Sequence, residues 1–146
     1  MAALSSETLH ATTVAINGRA VMIGGPSGVG KSDLALRLVD RGAQLVSDDY
    51  TMTRRIGERL LASPPVTIEG KIEVRGIGIV DMDFVRDIPV ALMIELHDTV
   101  DRMPLPPMTR MIAGVAIPLM KLVPREASTP VKLEYMLRLF GLKVAP

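Results

Sequence analysis

The chain has 146 residues, of which 48% are apolar and 23% are charged, so it is long enough for one globular domain with a buried core. Its 17 basic and 16 acidic side chains leave a net charge of +1, which argues against nucleic acid or an anionic membrane as the main partner. The absence of cysteine excludes disulfides, thiolate metal sites and cysteine nucleophiles.

The N-terminal segment is predicted to form a β-hairpin. Residues 1–9 carry no periodicity and are expected to fray. Apolar and β-branched residues over 12–16 and 19–23 predict two strands. Asn17-Gly18 between them is typical of a two-residue hairpin turn. The second strand leads directly into a glycine-rich stretch.

A helix and a further strand are predicted after that stretch. The helix is expected to begin near Lys31, because Leu34 and Leu38 fall on one stripe of a helix. Gly42 stands where a glycine commonly ends a helix. Residues 43–47 then predict a buried strand.

The rest of the chain is predicted to contain short strands and to end in a helix. Apolar runs separated by Gly and Pro predict strands over 60–62, 66–68, 71–74, 77–80 and 89–96. Residues 98–109 contain three prolines and are expected to be loop. Thr129-Pro130 predicts the start of a last, amphipathic helix that ends at Gly141. These elements predict one α/β domain over residues 1–146, with a β-rich core and a C-terminal helix.

The clearest functional signal is a P-loop motif between the second strand and the first helix. It matches G-x-x-x-x-G-K-[ST] at every defined position. Glycines let backbone N–H groups turn toward phosphate oxygens, and the helix N-terminus adds positive partial charge. Lys31 would reach the β- and γ-phosphates of a nucleotide, and the Ser32 hydroxyl would hold Mg²⁺. The predicted nucleotide-binding residues are Gly25, Pro26, Ser27, Gly28, Val29, Gly30, Lys31 and Ser32.

Two neighbouring acids, Asp48 and Asp49, follow the strand after this helix. In open α/β sheets ligands lie beyond the carboxyl ends of the strands, so both acids would face the bound phosphates. One of them can orient Mg²⁺, and the other can accept the proton of an attacking hydroxyl. The spacing leaves open which acid has which role.

With these motifs in place, the chain resembles HPr kinase/phosphorylase, and in particular the C-terminal catalytic domain of that family in a short, single-domain form. The resemblance begins at His10 and continues through the P-loop and residues 46–49. Residues 72–79 carry its most diagnostic part, a Glu-x-Arg-Gly-x-Gly run. The resemblance implies a P-loop kinase that uses ATP and Mg²⁺ to phosphorylate a seryl side chain.

The resemblance also implies roles for individual residues. Lys31 and Ser32 correspond to the phosphate-binding lysine and the Mg²⁺-binding serine of the family, and Glu73 corresponds to a Mg²⁺ ligand. Asp49 corresponds to the acid that acts as general base, so we expect Asp48 to serve the metal, although these two neighbours could be exchanged. The further active-site residues implied by the resemblance are His10 and Arg102.

The partners implied by the resemblance are an HPr-like phosphocarrier of the sugar phosphotransferase system and further copies of the chain, six in the family. Family members also remove the phosphate with inorganic phosphate. Glu126 and Ala127 replace a Gly and an Arg in a basic loop tied to that reverse reaction, which puts it in doubt. No apolar run approaches the roughly 18 residues of a membrane-spanning helix and no secretory signal is visible, so we expect a cytoplasmic protein without a membrane partner.

Two alternative functions use the same loop. A small-molecule kinase would usually carry a helical substrate-binding insert and an Arg-rich lid, whereas the middle of this chain is short and β-rich. A nucleotide-binding sensor would bind a partner without transferring phosphate, and the altered loop at Glu126 keeps this alternative open. Incubation with labelled ATP and HPr-like phosphocarriers would separate all three functions.

Overall fold

The structure, a computed structural model, describes residues 5–102 and 108–144. These residues form strands, two α-helices and a single 3₁₀ turn. The strands are β1 (Ser6–Leu9), β2 (Thr12–Ile16), β3 (Arg19–Gly24), β4 (Gln44–Ser47), β5 (Thr51–Ile56), β6 (Arg59–Ser63), β7 (Lys71–Val74), β8 (Gly78–Asp81), β9 (Ile88–Leu96), β10 (Met108–Ile112) and β11 (Val115–Leu122). The helices are α1 (Lys31–Asp40) and α2 (Thr129–Phe140), and the 3₁₀ turn covers Val66–Ile68.

One mixed sheet contains most of these strands, in the order β1-β5-β6-β9-β3-β2-β4. Strand β9 lies at its centre, because it pairs with β3 along one edge and with β6 and then β11 along the other. Its residues are almost all apolar and buried, as expected for a strand that is covered on both faces. Strand β10 pairs with β11, whereas β7 and β8 form a separate hairpin.

Four strands end at the same edge of this sheet, and that edge positions the site. Strands β3, β9 and β11 are parallel. Strand β2 is antiparallel to both β3 and β4, so β4 runs in the same direction as β3. Strand β2 starts at this edge with Thr12, which pairs with the end of β3. The last residues of the four strands are Gly24, Ser47, Leu96 and Leu122.

Apolar side chains fill both faces of the sheet, because successive residues of a strand point to opposite sides. On one face, Leu92 belongs to a buried cluster with Leu34 of α1 and Leu133 of α2. On the opposite face, Met93 belongs to a second buried cluster with Ile112 of β10. Both helices therefore pack on one face of the sheet. Residues of β10 and β11 contribute to the buried cluster on the other face. These helices of the described residues, 10 and 12 residues long, are too short to cross a membrane.

The predicted α/β class, with a β-rich core and a C-terminal helix, is confirmed. The hairpin, both helices and the strands before Asp48 and over 89–96 lie where the sequence predicted them, within a residue or so at their ends. Asn17 and Gly18 both have positive φ, 51° and 80°, as a tight hairpin turn of this kind requires.

Strands at the edges of the sheet were predicted wrongly. Residues 6–9, expected to fray, form β1, because every residue of β1 pairs with β5. The expected loop over 98–109 is wrong at its end, because β10 begins at Met108 and pairs with β11; residues 103–107 lie outside the described residues. The expected strand over 66–68 is a 3₁₀ turn, in which the Ile68 N–H donates to the carbonyl of Pro65. Two consecutive prolines before it cannot donate to a strand ladder.

Replacement of Leu92 by alanine is expected to destabilise the fold by about 2–5 kcal/mol, because it removes a fully buried side chain from the central strand and leaves a cavity. Urea unfolding followed by circular dichroism measures the change. Leu139→Ala is the matched control, because Leu139 is 66% exposed on α2. Its effect should stay within about 0.5 kcal/mol. Equal losses for the two variants would contradict the described packing.

Candidate active site

The glycine-rich loop between β3 and α1 has a backbone that side chains would obstruct. Gly25 and Gly30 have φ values of 140° and 114°, in a region that residues with a Cβ rarely adopt. A Cβ on Gly25 would lie 3.0 Å from Val29 Cγ1 and 3.4 Å from the carbonyl oxygen of Leu96. Gly30 is the N-cap of α1, so the free N–H groups of the first helical turn face the same space as the loop. This arrangement suits an anion with several oxygens.

Lys31 places a positive charge inside this loop. Its side chain is largely buried, and its Nζ donates hydrogen bonds to the carbonyls of Gly25 at 2.7 Å and Pro26 at 3.1 Å. The ammonium group is thus held at the centre of the loop by the loop's own backbone. A phosphate group that accepts hydrogen bonds from the N–H groups of the loop would lie close to this positive charge.

Asp48 is a buried carboxylate directly after the end of β4, and its hydrogen bonds link this strand to β2, α1 and β7. Its Oδ1 accepts hydrogen bonds from the hydroxyls of Thr12 at 3.0 Å and Ser32 at 2.6 Å. Its Oδ2 accepts a hydrogen bond from the backbone N–H of Glu73 at 3.0 Å. Three donors therefore compensate its charge at 6% exposure, and they fix the Ser32 hydroxyl at the start of α1.

Asp49 differs from Asp48 in its backbone conformation and in the exposure of its side chain. Its backbone has φ of 71°, which aspartate tolerates better than most residues, and its side chain is 62% exposed. Asp49 Oδ1 accepts a hydrogen bond of 2.9 Å from His10 Nε2. The His10 ring stacks on Tyr50 with ring centres 5.0 Å apart. The turn at Asp49 thus separates the two acids, one buried against Ser32 and one open to solvent.

These groups surround a cleft of about 860 Å³, a volume within the usual range for small-molecule sites. The cleft brings together loops from the strand ends and from the β7–β8 hairpin. Gly25, Pro26 and Asp48 do not line the cleft. The predicted site residues that line it are His10, Ser27, Gly28, Val29, Gly30, Lys31, Ser32, Asp49 and Glu73.

Among the predicted catalytic residues, Arg102 is the one that does not line the cleft. It is exposed in the segment after β9. The structure therefore gives the predicted role of Arg102 no geometric support.

Further residues line the cleft although the sequence analysis assigned them no role, among them Thr12, Arg37, Arg75 and Arg125. The Thr12 hydroxyl links both acids, because it donates to Asp48 and accepts a hydrogen bond of 3.2 Å from the N–H of Asp49. In the sequence Thr12 is indistinguishable from an ordinary β-branched strand residue. Within the described residues, Arg75 and Arg125 form no ion pair, so their charges are available to a ligand.

The oxygen donors near the loop fit a magnesium ion better than a transition metal. The described residues contain no cluster of three or more His, Cys, Asp or Glu side chains of the kind that encloses a metal. The Ser32 hydroxyl, the Asp48 carboxylate and the Glu73 side chain are hard oxygen donors at the loop, and Mg²⁺ is commonly held by few protein oxygens together with waters and phosphates.

Comparison with known proteins connects the chain to one family. The sequence profile of the HPr Serine kinase C-terminal domain matches residues 2–133. Among solved structures, the HPr(Ser) kinase/phosphatase of Coxiella burnetii is 33% identical, with a TM-score of 0.79 over 90% of this chain and 94% of that chain.

Curated relatives named HPr kinase/phosphorylase match a shorter stretch. The protein of Clostridium tetani is 44% identical over 80 residues, which is 54% of this chain and 26% of that protein. The protein of Caldanaerobacter subterraneus is 49% identical over 76 residues, 51% of this chain and 25% of that protein. The matched stretch therefore spans about a quarter of the length of these relatives.

Proposed function

Because the chain belongs to the HPr Serine kinase C-terminal domain family, we propose that it transfers the γ-phosphoryl group of ATP to a seryl side chain of an HPr-like phosphocarrier. The observation that carries this proposal is the common cleft, in which the loop with Lys31 and the exposed carboxylate of Asp49 face the same space. A phosphate donor site and a proton acceptor thereby line the same cleft, which an acceptor hydroxyl would enter.

The loop over residues 25–32 holds the triphosphate in this proposal. Its backbone N–H groups and the first turn of α1 bind the phosphate oxygens, and Lys31 neutralises the charge of the β- and γ-phosphates. Mg²⁺ would be held by Ser32, Asp48 and Glu73, and when bound it supplies charge that neutralises the phosphates. Asp48 orients the Ser32 hydroxyl, which supports a role in the metal site rather than in proton transfer.

Asp49 accepts the proton of the seryl hydroxyl. Its carboxylate is exposed to the cleft, and of its two oxygens Oδ1 is engaged by His10. A carboxylate accepts, so His10 Nε2 carries the hydrogen of this bond. His10 therefore orients the Asp49 side chain, and Tyr50 in turn supports the His10 ring by stacking.

The finer features of the proposal concern partner, assembly and location. Residues 1–146 act as one catalytic domain, in a homo-oligomer for which family resemblance implies six copies, and the cytoplasm supplies ATP and the phosphocarrier. Glu126, which replaces a family glycine, forms an ion pair of 2.8 Å with Lys132 and does not line the cleft. The loop therefore offers the cleft one cation, Arg125, and we expect phosphorylation rather than the reverse reaction to dominate.

The test is incubation with γ-labelled ATP and Mg²⁺ in three mixtures: with an HPr-like phosphocarrier, with small-molecule acceptors, and without an acceptor. The proposal predicts that the label moves to the phosphocarrier. Label on a small molecule would instead identify a small-molecule kinase. ATP binding without any transfer in the three mixtures would identify a nucleotide-binding sensor.

Removal of divalent cations is expected to abolish transfer, because without Mg²⁺ the charge of the triphosphate is not neutralised. Transfer rates in excess chelator, and after addition of Mg²⁺ or Mn²⁺, measure this dependence. Both ions should restore activity, since both accept hard oxygen donors. Ser32→Ala should raise the Mg²⁺ concentration needed for half-maximal rate. Full activity in excess chelator would remove the metal from the proposal.

A further inference from the structure

Residues 123–128, which we call the β11–α2 loop, bring Arg125 to the cleft without regular secondary structure of their own. The Arg125 side chain is exposed and forms no ion pair within the described residues. A catalytic site needs its charges held in a fixed geometry before the reaction. Some contact outside the loop must therefore hold Arg125 in place.

Arg37 of α1 makes that contact with the two terminal nitrogens of its guanidinium group. Its Nη2 donates to the carbonyl of Pro124 at 2.6 Å, and its Nη1 donates to the carbonyl of Glu126 at 3.2 Å. Its Nε lies 3.1 Å from Oδ2 of Asp33, one helical turn earlier. A guanidinium presents its donors in a rigid planar fork that reaches both carbonyls at once, whereas a lysine carries its donors on one nitrogen at the end of a flexible stem.

The two carbonyls held by Arg37 stand on either side of Arg125 in the sequence. Fixing both of them fixes the backbone of Arg125 relative to α1, whose first turn carries Lys31 and Ser32. The other end of the loop is tied to α2, because Thr129 Oγ1 donates to the carbonyl of Val123 at 2.6 Å. The α1 side of the loop depends on Arg37.

We propose that Arg37 is a positioning residue, which holds the β11–α2 loop so that Arg125 stays in the cleft that the phosphate-binding loop also lines. The proposal rests on the kinase function proposed above and adds a means by which α1 and the β11–α2 loop keep a constant separation in the cleft. Arg125 then contacts the phosphoryl group during transfer, and Arg37 acts only through Arg125.

Arg37 also lines the cleft, so the competing possibility is that its guanidinium binds the nucleotide directly. The two roles differ in a double-mutant cycle. If Arg37 acts through Arg125, loss of Arg37 costs nothing more once Arg125 is gone. If Arg37 binds the nucleotide itself, the fold-losses of kcat/KM in the two single variants multiply in the double variant.

The experiment measures kcat and KM for ATP in Arg37→Gln, Arg125→Gln and the double variant. Each single change should lower kcat/KM by about tenfold or more, as expected when hydrogen bonds to charged groups are lost. The double variant should match Arg125→Gln within about twofold. A loss of kcat/KM in the double variant equal to the product of the two single losses would overturn the positioning role.

Hydrogen–deuterium exchange of the peptide covering residues 123–128 is the second readout, and it does not depend on activity. Exchange in this peptide should become faster in Arg37→Gln and stay unchanged in Arg125→Gln. Unchanged exchange in Arg37→Gln would overturn the proposal even if activity fell. Should Arg37→Gln fail to fold, Arg37→Lys keeps the charge without the fork and should show the same changes to a smaller extent.

Arg41→Gln is the matched control at the C-terminal end of the same helix. Arg41 donates to both carboxylate oxygens of Glu134 on α2, at 3.0 and 2.7 Å, and does not line the cleft. The hydrogen bond with Glu134, together with the charge of that carboxylate, raises the pKa of Arg41. Its loss removes a link between helices but should leave kcat/KM and loop exchange unchanged.

If the wild-type chain transfers no phosphate, the proposed function fails, and hydrogen–deuterium exchange of the loop alone then decides whether Arg37 holds the loop.

Discussion

Replacement of Lys31 by alanine is expected to lower the transfer rate by about 10²–10³-fold or more and to weaken ATP binding, because it removes a preorganised charge from the phosphate-binding loop. The Lys31 ammonium is held by the carbonyls of Gly25 and Pro26, so its charge is in place before a nucleotide arrives. No other lysine lines the cleft within the described residues. Single-turnover transfer rates and calorimetric titration with ATP measure the two effects.

Two further variants make this result specific. Lys31→Met retains most of the hydrocarbon stem without the charge and should be as inactive as the alanine variant. Lys121→Ala removes an exposed lysine of β11 that does not line the cleft, and it should retain wild-type rates. Wild-type ATP affinity and turnover in both Lys31 variants would mean that the phosphates bind elsewhere.

The Asp49→Asn variant is expected to lose at least about 10²-fold in kcat, with little change in ATP affinity, because general-base assistance is typically worth about 10²–10⁴-fold. The lower end is expected, since little charge develops on the attacking oxygen in a loose transition state. An amide retains the shape of the side chain but cannot take the proton. Rapid-quench measurement of the transfer step separates this loss from nucleotide binding.

Asp48→Asn is expected to behave differently. Both oxygens of Asp48 accept hydrogen bonds from protein donors, so an amide NH₂ would oppose one of these donors in a buried position. The free energy of unfolding should therefore fall by about 1–3 kcal/mol, and the affinity for Mg²⁺ and nucleotide should fall with it. Asp83→Asn, a change of an exposed acid outside the cleft, serves as control. A slow Asp48→Asn enzyme with normal affinities, beside a full-speed Asp49→Asn enzyme, would give the base role to Asp48.

The parts of the fold that local sequence patterns encode were predictable. The Asn17-Gly18 turn, the glycine spacing of the loop and the helical stripe with Leu34 each depend on residues close in sequence. Strands β1 and β10 were missed because pairing with another strand, rather than a local apolar pattern, orders them. The same limit applies to Arg37, whose carbonyl partner at Glu126 is 89 positions away.

The residues of the site were largely predictable from the sequence, but the separate roles of neighbouring residues were not. Adjacent acids in a sequence look equivalent, and only the structure shows that Asp48 is buried against Ser32 while Asp49, after a turn with positive φ, is exposed. Thr12 was missed for a related reason. Its bridging role follows from the position of β2 between β3 and β4, which no local pattern records.

Mapping of the phosphorylated residue in an HPr-like acceptor tests the central claim most directly. The acceptor is incubated with the wild-type chain, γ-labelled ATP and Mg²⁺, and labelled peptides are sequenced by mass spectrometry. The account predicts label on a seryl side chain of the acceptor, with both the Lys31→Ala and the Asp49→Asn variants strongly impaired. An unlabelled acceptor in the presence of bound ATP, or equal labelling by the wild type and both variants, would contradict it.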